Sequence, residues 1–221
     1  MGYEDEDFIV RQAKQMGELL GGFLGKKDTE AILSFGEEAQ TEEPKEDEPH
    51  FEFRSSNESD ITTIGVIVNE AKNYLTEQGS PQWQNGHEPH EAIIREDLKK
   101  EASYVLTMDD EIVGTVALIS GVDPVYEAIE GAWQEAGPYV ALHHVAVSQK
   151  YRGAGIGEKT LKAAIEKAEE LGFKDIRIDT YPANQPMLGL IGKLGFNYCG
   201  MIYFPYADGE RKAFQLIKRS V

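Results

Sequence analysis

Val145-Ala-Val147, a spacer Ser148-Gln-Lys-Tyr151, and then Arg152-Gly153-Ala154-Gly155-Ile156-Gly157 running into a helical stretch that stops before Gly172 decide the reading of this chain. An apolar strand, a glycine turn and a helix adjoin within about 25 residues. Glycines without Cβ let backbone N–H groups come close to a diphosphate. The helix N-terminus adds roughly half a positive charge where the oxygens would lie. The stretch therefore reads as an anion cradle. A Walker loop needs lysine directly after its last glycine, but Glu158 follows Gly157 before Lys159-Thr160. A dinucleotide fingerprint needs two residues between its second and third glycines, and only Ile156 separates Gly155 from Gly157. A tight turn before a helix needs one such glycine, not three behind an arginine.

Outward from the turn, the pattern gives a short strand at Phe51-Glu-Phe-Arg54, then a helix to about Thr76 capped by Asn57 or Ser59. A second helix spans about 91–100. Tyr104–Met108 and Ile112–Leu118 form an antiparallel hairpin across Asp109-Asp-Glu111. An excursion with Tyr126 and Trp133 precedes a central strand at Tyr139–Val147. After the 155–171 helix come a strand at Asp175–Thr180, a helix from Asn184 to Leu194, and strands near 198–204 and 211–218. The order is βααβββαβαββ.

These residues resemble the GNAT superfamily, whose phosphate motif is Arg or Gln, two residues, Gly, one residue, Gly or Ala. Arg152, Gly155 and Gly157 match it. The resemblance covers about residue 51 to the C-terminus. It implies a mixed α/β (α+β) fold: a mostly antiparallel central sheet with one splayed parallel strand pair and flanking helices. It also implies acetyl-CoA as acyl donor, with its phosphates on Arg152, Gly153, Ala154, Gly155, Ile156 and Gly157. Its pantetheine arm would pair with the strand Val145, Ala146, Val147. Asn184, opening the helix that ends Lys193-Leu-Gly-Phe196, is similar to the family's Asn…Lys-Leu-Gly-Phe segment and is a further cofactor contact by similarity. Many relatives carry a tyrosine two residues before this lysine, thought to protonate the leaving thiolate; here that position is Ile191.

Transfer of an acyl group from a thioester to an amine needs a neutral amine, a polarised carbonyl and a thiolate able to leave. His143 and His144 lie on the strand entering the site, and strand alternation predicts that only one faces the cleft. His143, resembling the place of the family's catalytic glutamate, is the candidate base. Asp179, on the neighbouring parallel strand, is the candidate to orient the imidazole or bind the substrate ammonium. Trp83, Tyr126 and Trp133 are expected to wall the acceptor side, where aromatic faces suit an alkylammonium or aromatic amine. Cys199 has no partner pattern for an acyl-cysteine route. His87 and His90 lack carboxylates or cysteines at ligand spacing, so no metal is expected.

The resulting expectation is direct N-acetylation of a small-molecule or peptide amine. The alternative is an acyl-CoA-binding sensor or interaction module, motivated by Ile191 and by the N-terminal extension. A net charge of −17, from 39 acidic against 22 basic residues, argues against nucleic acid and anionic lipid as partners. The single cysteine and the opening Glu4-Asp-Glu-Asp7, with no basic stretch leading into an apolar core, predict a cytoplasmic protein without a disulfide or secretory signal. Ile9, Ala13, Met16, Leu20 and Phe23 place an apolar stripe on a helical appendage over residues 1–27. Its lack of a partner within the segment predicts a homo-oligomer. Residues 28–50 read as an acidic linker with little to bury.

Overall fold

A computed structural model describes residues 48–219; the expected helix over 1–27 and nearly all of the linker lie outside the described residues. The elements run β1 (Phe51–Ser55), α1 (Ile61–Glu77), α2 (Glu91–Lys99), β2 (Ser103–Met108), β3 (Glu111–Ser120), α3 (Pro124–Glu127), β4 (Glu130–Gly131), β5 (Tyr139–Val147), α4 (Ile156–Glu170), β6 (Asp175–Thr180), α5 (Gln185–Lys193), β7 (Asn197–Tyr203) and β8 (Glu210–Ile217). This is the order expected from the sequence, with the four-residue α3 and two-residue β4 added inside the excursion.

Local chemistry explains several boundaries. Asn57 accepts from Ser59 N while Asp60 accepts from Asn57 N, a capping box that opens the turn leading into α1. Asp109 and Asp110 both take positive φ (49° and 68°), the geometry of a two-residue turn whose twist matches the flanking strands β2 and β3. Asn184 caps α5 by accepting from Met187 N.

One eight-stranded sheet in the order β1-β2-β3-β5-β6-β8-β7-β4 carries these elements. β5 and β6 pair in parallel, and the other pairs are antiparallel. One face packs on α4 and α5 through Leu161, Ala164, Ile176, Ile178 and Ile191. The other packs on α1 and α2 through Ile64, Val68, Ile94 and Val105. The excursion folds back as a separate cluster, Tyr126 and Tyr139 against Ile202 and Ala213.

The β5–β6 ladder stops early. Its last pair is Leu142 with Ile178, although β5 continues to Val147 and β6 to Thr180. On its other side β5 stays paired with β3 as far as Val147 with Gly114. The ladder thus opens into a wedge at the C-terminal ends of the two parallel strands, where α4 begins. Gly114 sets how closely α4 approaches: a Cβ there would lie 2.4 Å from Thr160 Oγ1, whose hydroxyl donates to Ile156 O inside the helix. Gly114→Ala is expected to destabilise the fold by about 1–3 kcal/mol through overpacking, read as a lowered midpoint in chemical denaturation.

Candidate active site

The wedge opens into a cavity of about 730 Å3 that runs from the glycine turn to the loop joining β7 and β8. At one end the chain makes a short 3-10 turn at Gln149–Tyr151 before Arg152. Gln149 N donates to Glu70, and Lys150 and Tyr151 both bond Glu111. These contacts fix the approach to the glycines. Gly153 and Gly155 take φ of +86° and +79°, left-handed values that glycine tolerates and side chains resist.

The amides of Gly155, Ile156, Gly157 and Glu158 have no acceptor among the described residues, as a helix start without a capping side chain requires. They form a ready anion site. At Gly157 a Cβ would lie 3.1 Å from a terminal methyl of Leu190 on α5, so the two helices approach closely at this point. Glu158, whose acid would oppose an anion, is hydrogen-bonded by Lys162 and Lys193, which hold its pKa at about 2 and offset its charge. The Arg152 guanidinium rests on the Tyr74 ring, 4.0 Å from its centroid, at the same end.

Of the residues expected to hold the cofactor, Val145, Ala146, Val147, Arg152, Gly153, Gly155, Ile156, Gly157 and Asn184 line the cavity. Ala154 does not, and its amide is already bonded to Tyr151 O. Ile156 contributes through its backbone, since its side chain is buried with Leu106 and Val113. Two further features suit a polar ligand. The backbone of residues 143–147 facing β6 has no strand partner among the described residues. The hydroxyl of Thr180, buried at the end of β6 and lining the cavity, has no hydrogen-bond partner among the described residues; a buried hydroxyl left so is costly unless a ligand or water meets it. Gln82 Oε1 accepts from Asn184 Nδ2 and Tyr181 N, tying the loop after α1 to the start of α5.

The expected alternation of the two histidines does not hold. Val140 and Leu142 face α4, but so does Val145, while Ala146 faces α1. The parity flips at His144, which takes φ +55° opposite a register shift between Thr115 and Ala117. Such a bulge re-aims side chains, and a non-glycine residue held there costs on the order of 1–3 kcal/mol. Both rings therefore line the cavity.

His143 Nδ1 lies 3.9 Å from Asp179 Oδ1. Burial pushes the His143 imidazole below its ordinary range, with Asp179 opposing the shift and His144 adding to it. Asp179 is itself held: Tyr126 Oη donates to its Oδ1 at 2.8 Å, and Arg211 Nε, on a buried guanidinium, lies 4.0 Å from its Oδ2. His144 Nδ1 lies 2.7 Å from Oδ2 of the buried Asp97 on α2.

Trp83 lines the cavity, but Tyr126 and Trp133 do not, correcting the aromatic acceptor wall expected from the sequence. The excursion folds onto the sheet instead, as β4 pairs with β7. Trp133 stacks on Arg177, which is sandwiched against Tyr139 and paired with Asp175, and its Nε1 donates to Tyr126 O. Tyr126 is fully buried, and burial followed by the Asp179 charge holds its hydroxyl protonated, well above the ordinary phenol range. Its place is behind Asp179. Phe204, Tyr206 and His87 supply the aromatic surface at that end of the cavity, His87 and Tyr206 stacking with centroids 3.8 Å apart. Ile191, where the resemblance leads one to look for a tyrosine, is a fully buried core residue. Among the described residues no cluster of three metal-ligating side chains occurs, and no helix is long and apolar enough to cross a membrane.

A strand pair that opens beside a glycine turn and a helix start, with histidines on the opened strand, is the frame of an acyl-transferring enzyme. The acetyltransferase (GNAT) family model matches residues 69–196, and the chain belongs to that family. It is similar to a GNAT-family acetyltransferase structure from Streptococcus agalactiae, with 31% identity and a TM-score of 0.71 over 77% of this chain and 96% of that one. N-acetyltransferase 8B of Rattus norvegicus is 28% identical over 134 residues, 61% of this chain and 46% of that protein. The chain thus spans less than half the length of the 8B relatives of rat and human. A Salmonella typhimurium putative acetyltransferase, yncA, solved with its cofactor acetyl-CoA, shares the fold at 16% identity, with a TM-score of 0.55 over 77% of this chain and 95% of that one.

Two outcomes follow. Tyr126→Phe keeps the ring and removes the bond to Asp179, so a loss of about 1.5–3 kcal/mol is expected in denaturant unfolding, the range for a hydrogen bond to a charged group. Gly155→Ala lets the turn relax out of its left-handed geometry, a change of about 1–2 kcal/mol. Calorimetry with 3′-phospho-ADP should then read roughly tenfold weaker binding.

Proposed function

We propose that this chain is an acetyl-CoA-dependent N-acetyltransferase that passes the acetyl group directly from the thioester to an amine of a small molecule or peptide. The observation that carries the reading is one cavity joining four unpaired helix-start amides to two imidazoles backed by carboxylates. In this reading the amides of 155–158 and Arg152 hold the donor's linked phosphates. The unpaired backbone of residues 143–147 aligns the donor's pantetheine arm in the wedge, where Thr180 offers a hydroxyl.

The acceptor enters from the end lined by Trp83, Phe204 and Tyr206. His143, neutral because burial disfavours its charged form, takes a proton from the amine nitrogen. The nitrogen forms its bond to the acetyl carbon, the carbon–sulfur bond breaks, and the thiolate takes up a proton. Ile191 has none to give, so the proton held on His143 or one from water serves. No observation favours the binding-only alternative, since the proteins similar to this chain bear acetyltransferase names. Cytoplasmic location and self-association through residues 1–27 stay part of the proposal. For the latter, the full chain should show a larger oligomer in solution than a chain starting at Phe51, and equal monomer masses would end that idea.

The primary test is thiol release from acetyl-CoA across a panel of primary amines; release with none of them contradicts the reading. The pH dependence carries a sign. His143 has its pKa lowered, so kcat/KM should fall only below about 6.5, the ordinary imidazole value. Asp179 is the largest of the charges working against that lowering, so Asp179→Asn weakens the opposition to burial and moves the acid limb to still lower pH. By linkage, the unfolded chain binds more protons at His143 between the folded value and the ordinary one. Its contribution to stability is therefore complete above that window and is lost as pH falls through it.

A further inference from the structure

The overall chemistry asks for more proton acceptors than one. An alkylammonium becoming an amide gives up two protons from nitrogen: one before attack, to free the lone pair, and one as the carbon–nitrogen bond forms. One ends on the leaving sulfur and the other goes to solvent. On this chain two imidazoles, with ring centroids 6.0 Å apart, line the same cavity, each beside its own carboxylate. The two are not alike. His143 is the less exposed and has no hydrogen bond to Asp179 at 3.9 Å. His144 is more open, and its Nδ1 lies 2.7 Å from Asp97 Oδ2.

An ionised carboxylate only accepts, so Nδ1 of His144 carries the hydrogen and Nε2 keeps its lone pair. When Nε2 takes a proton, the charge appearing on the ring is met by Asp97 across that bond, the arrangement by which a carboxylate serves a general-base histidine. Asp97 is buried on α2, and the left-handed backbone at His144 is what turns the ring toward both the helix and the cavity.

We propose that His144, held by Asp97, is a second catalytic base that takes the proton of the incoming ammonium and passes it to solvent, leaving His143 for the proton lost during attack. This rests on the acetyltransferase reading. The amine arrives as R–NH3+, and one N–H bond breaks as a proton joins His144 Nε2. The neutral amine then attacks, and its second proton goes to His143 and on to the thiolate. The products are the amide, the free thiol and one solvent proton.

The test compares two acceptors on the full chain: the alkylamine that wild type uses best, and an aromatic or hydroxylamine-type amine that is already neutral at the assay pH. His144→Gly suits the φ of +55° and leaves a space that added imidazole can enter. With the alkylamine it should lose about 100-fold in kcat/KM, the usual scale of general-base catalysis, and regain part of it with imidazole. With the neutral amine the loss should be no more than a few-fold. His143→Gln should lose rate with both. Asp97→Asn keeps the shape of the pair and should follow His144→Gly in direction. Independently of turnover, ring nitrogen NMR should show His144 as the Nδ1–H tautomer in wild type and a mixture in Asp97→Asn.

Equal losses on the two amines, an unchanged rate with the alkylamine, or an Nε2–H tautomer at His144 would overturn the proposal while leaving the acetyltransferase reading intact. A wild-type chain that releases no thiol with any amine overturns both.

Discussion

Backbone N–H and C=O groups inside a protein need partners, and the early end of one ladder governs this molecule. β5 and β6 are hydrogen-bonded only as far as Leu142 and Ile178. Beyond that point the central strand keeps β3 on one side and, among the described residues, no strand on the other. A closed parallel pair would have left no wedge, no cavity behind the glycine turn and no polar backbone available to a ligand. The bulge at His144 is the local form of that constraint, since it shifts the register on β3 and reverses which residues face each layer of helices.

Two supports hold the opened geometry. On one side, α4 is held by close packing of Thr160 over Gly114 and by a polar brace of Lys150, Tyr151 and Glu111 under the turn. On the other, the excursion delivers Tyr126 to the back of Asp179, and Arg211 reaches the same carboxylate from β8. The excursion thus acts on the site without lining it: it fixes a charge that the cavity uses. Exposed pairs such as Arg95 with Glu91 and Glu58 add little to the architecture, because solvent screens them.

The elements that repeat a local pattern were legible in the sequence. The helix periodicities, the Asp109-Asp110 hairpin, the Asn57 and Asn184 caps and the glycine turn each announce themselves within a few residues. Features set by distant partners were not. Nothing local in His143-His144 signals a bulge, since no glycine marks the left-handed position, and simple alternation therefore gave the wrong facing. Trp133 read as a pocket aromatic because its partner, Arg177, lies 44 positions on and reaches it only when the sheet forms. Asp97 sits on a helix of unremarkable composition, and its value to His144 appears only when the fold brings α2 within reach of β5. The insertion of β8 between β6 and β7 likewise depends on the whole sheet.

The central claim is that unpaired backbone at the wedge and at the start of α4 is where the acyl donor binds. Residue-resolved amide hydrogen exchange with and without acetyl-CoA tests it most directly. The account predicts slowed exchange at Gly155–Glu158 and along 143–147, with little change at β1 or β7. Unaltered exchange at 155–158 under saturating acetyl-CoA, or protection confined to some other surface, would contradict it.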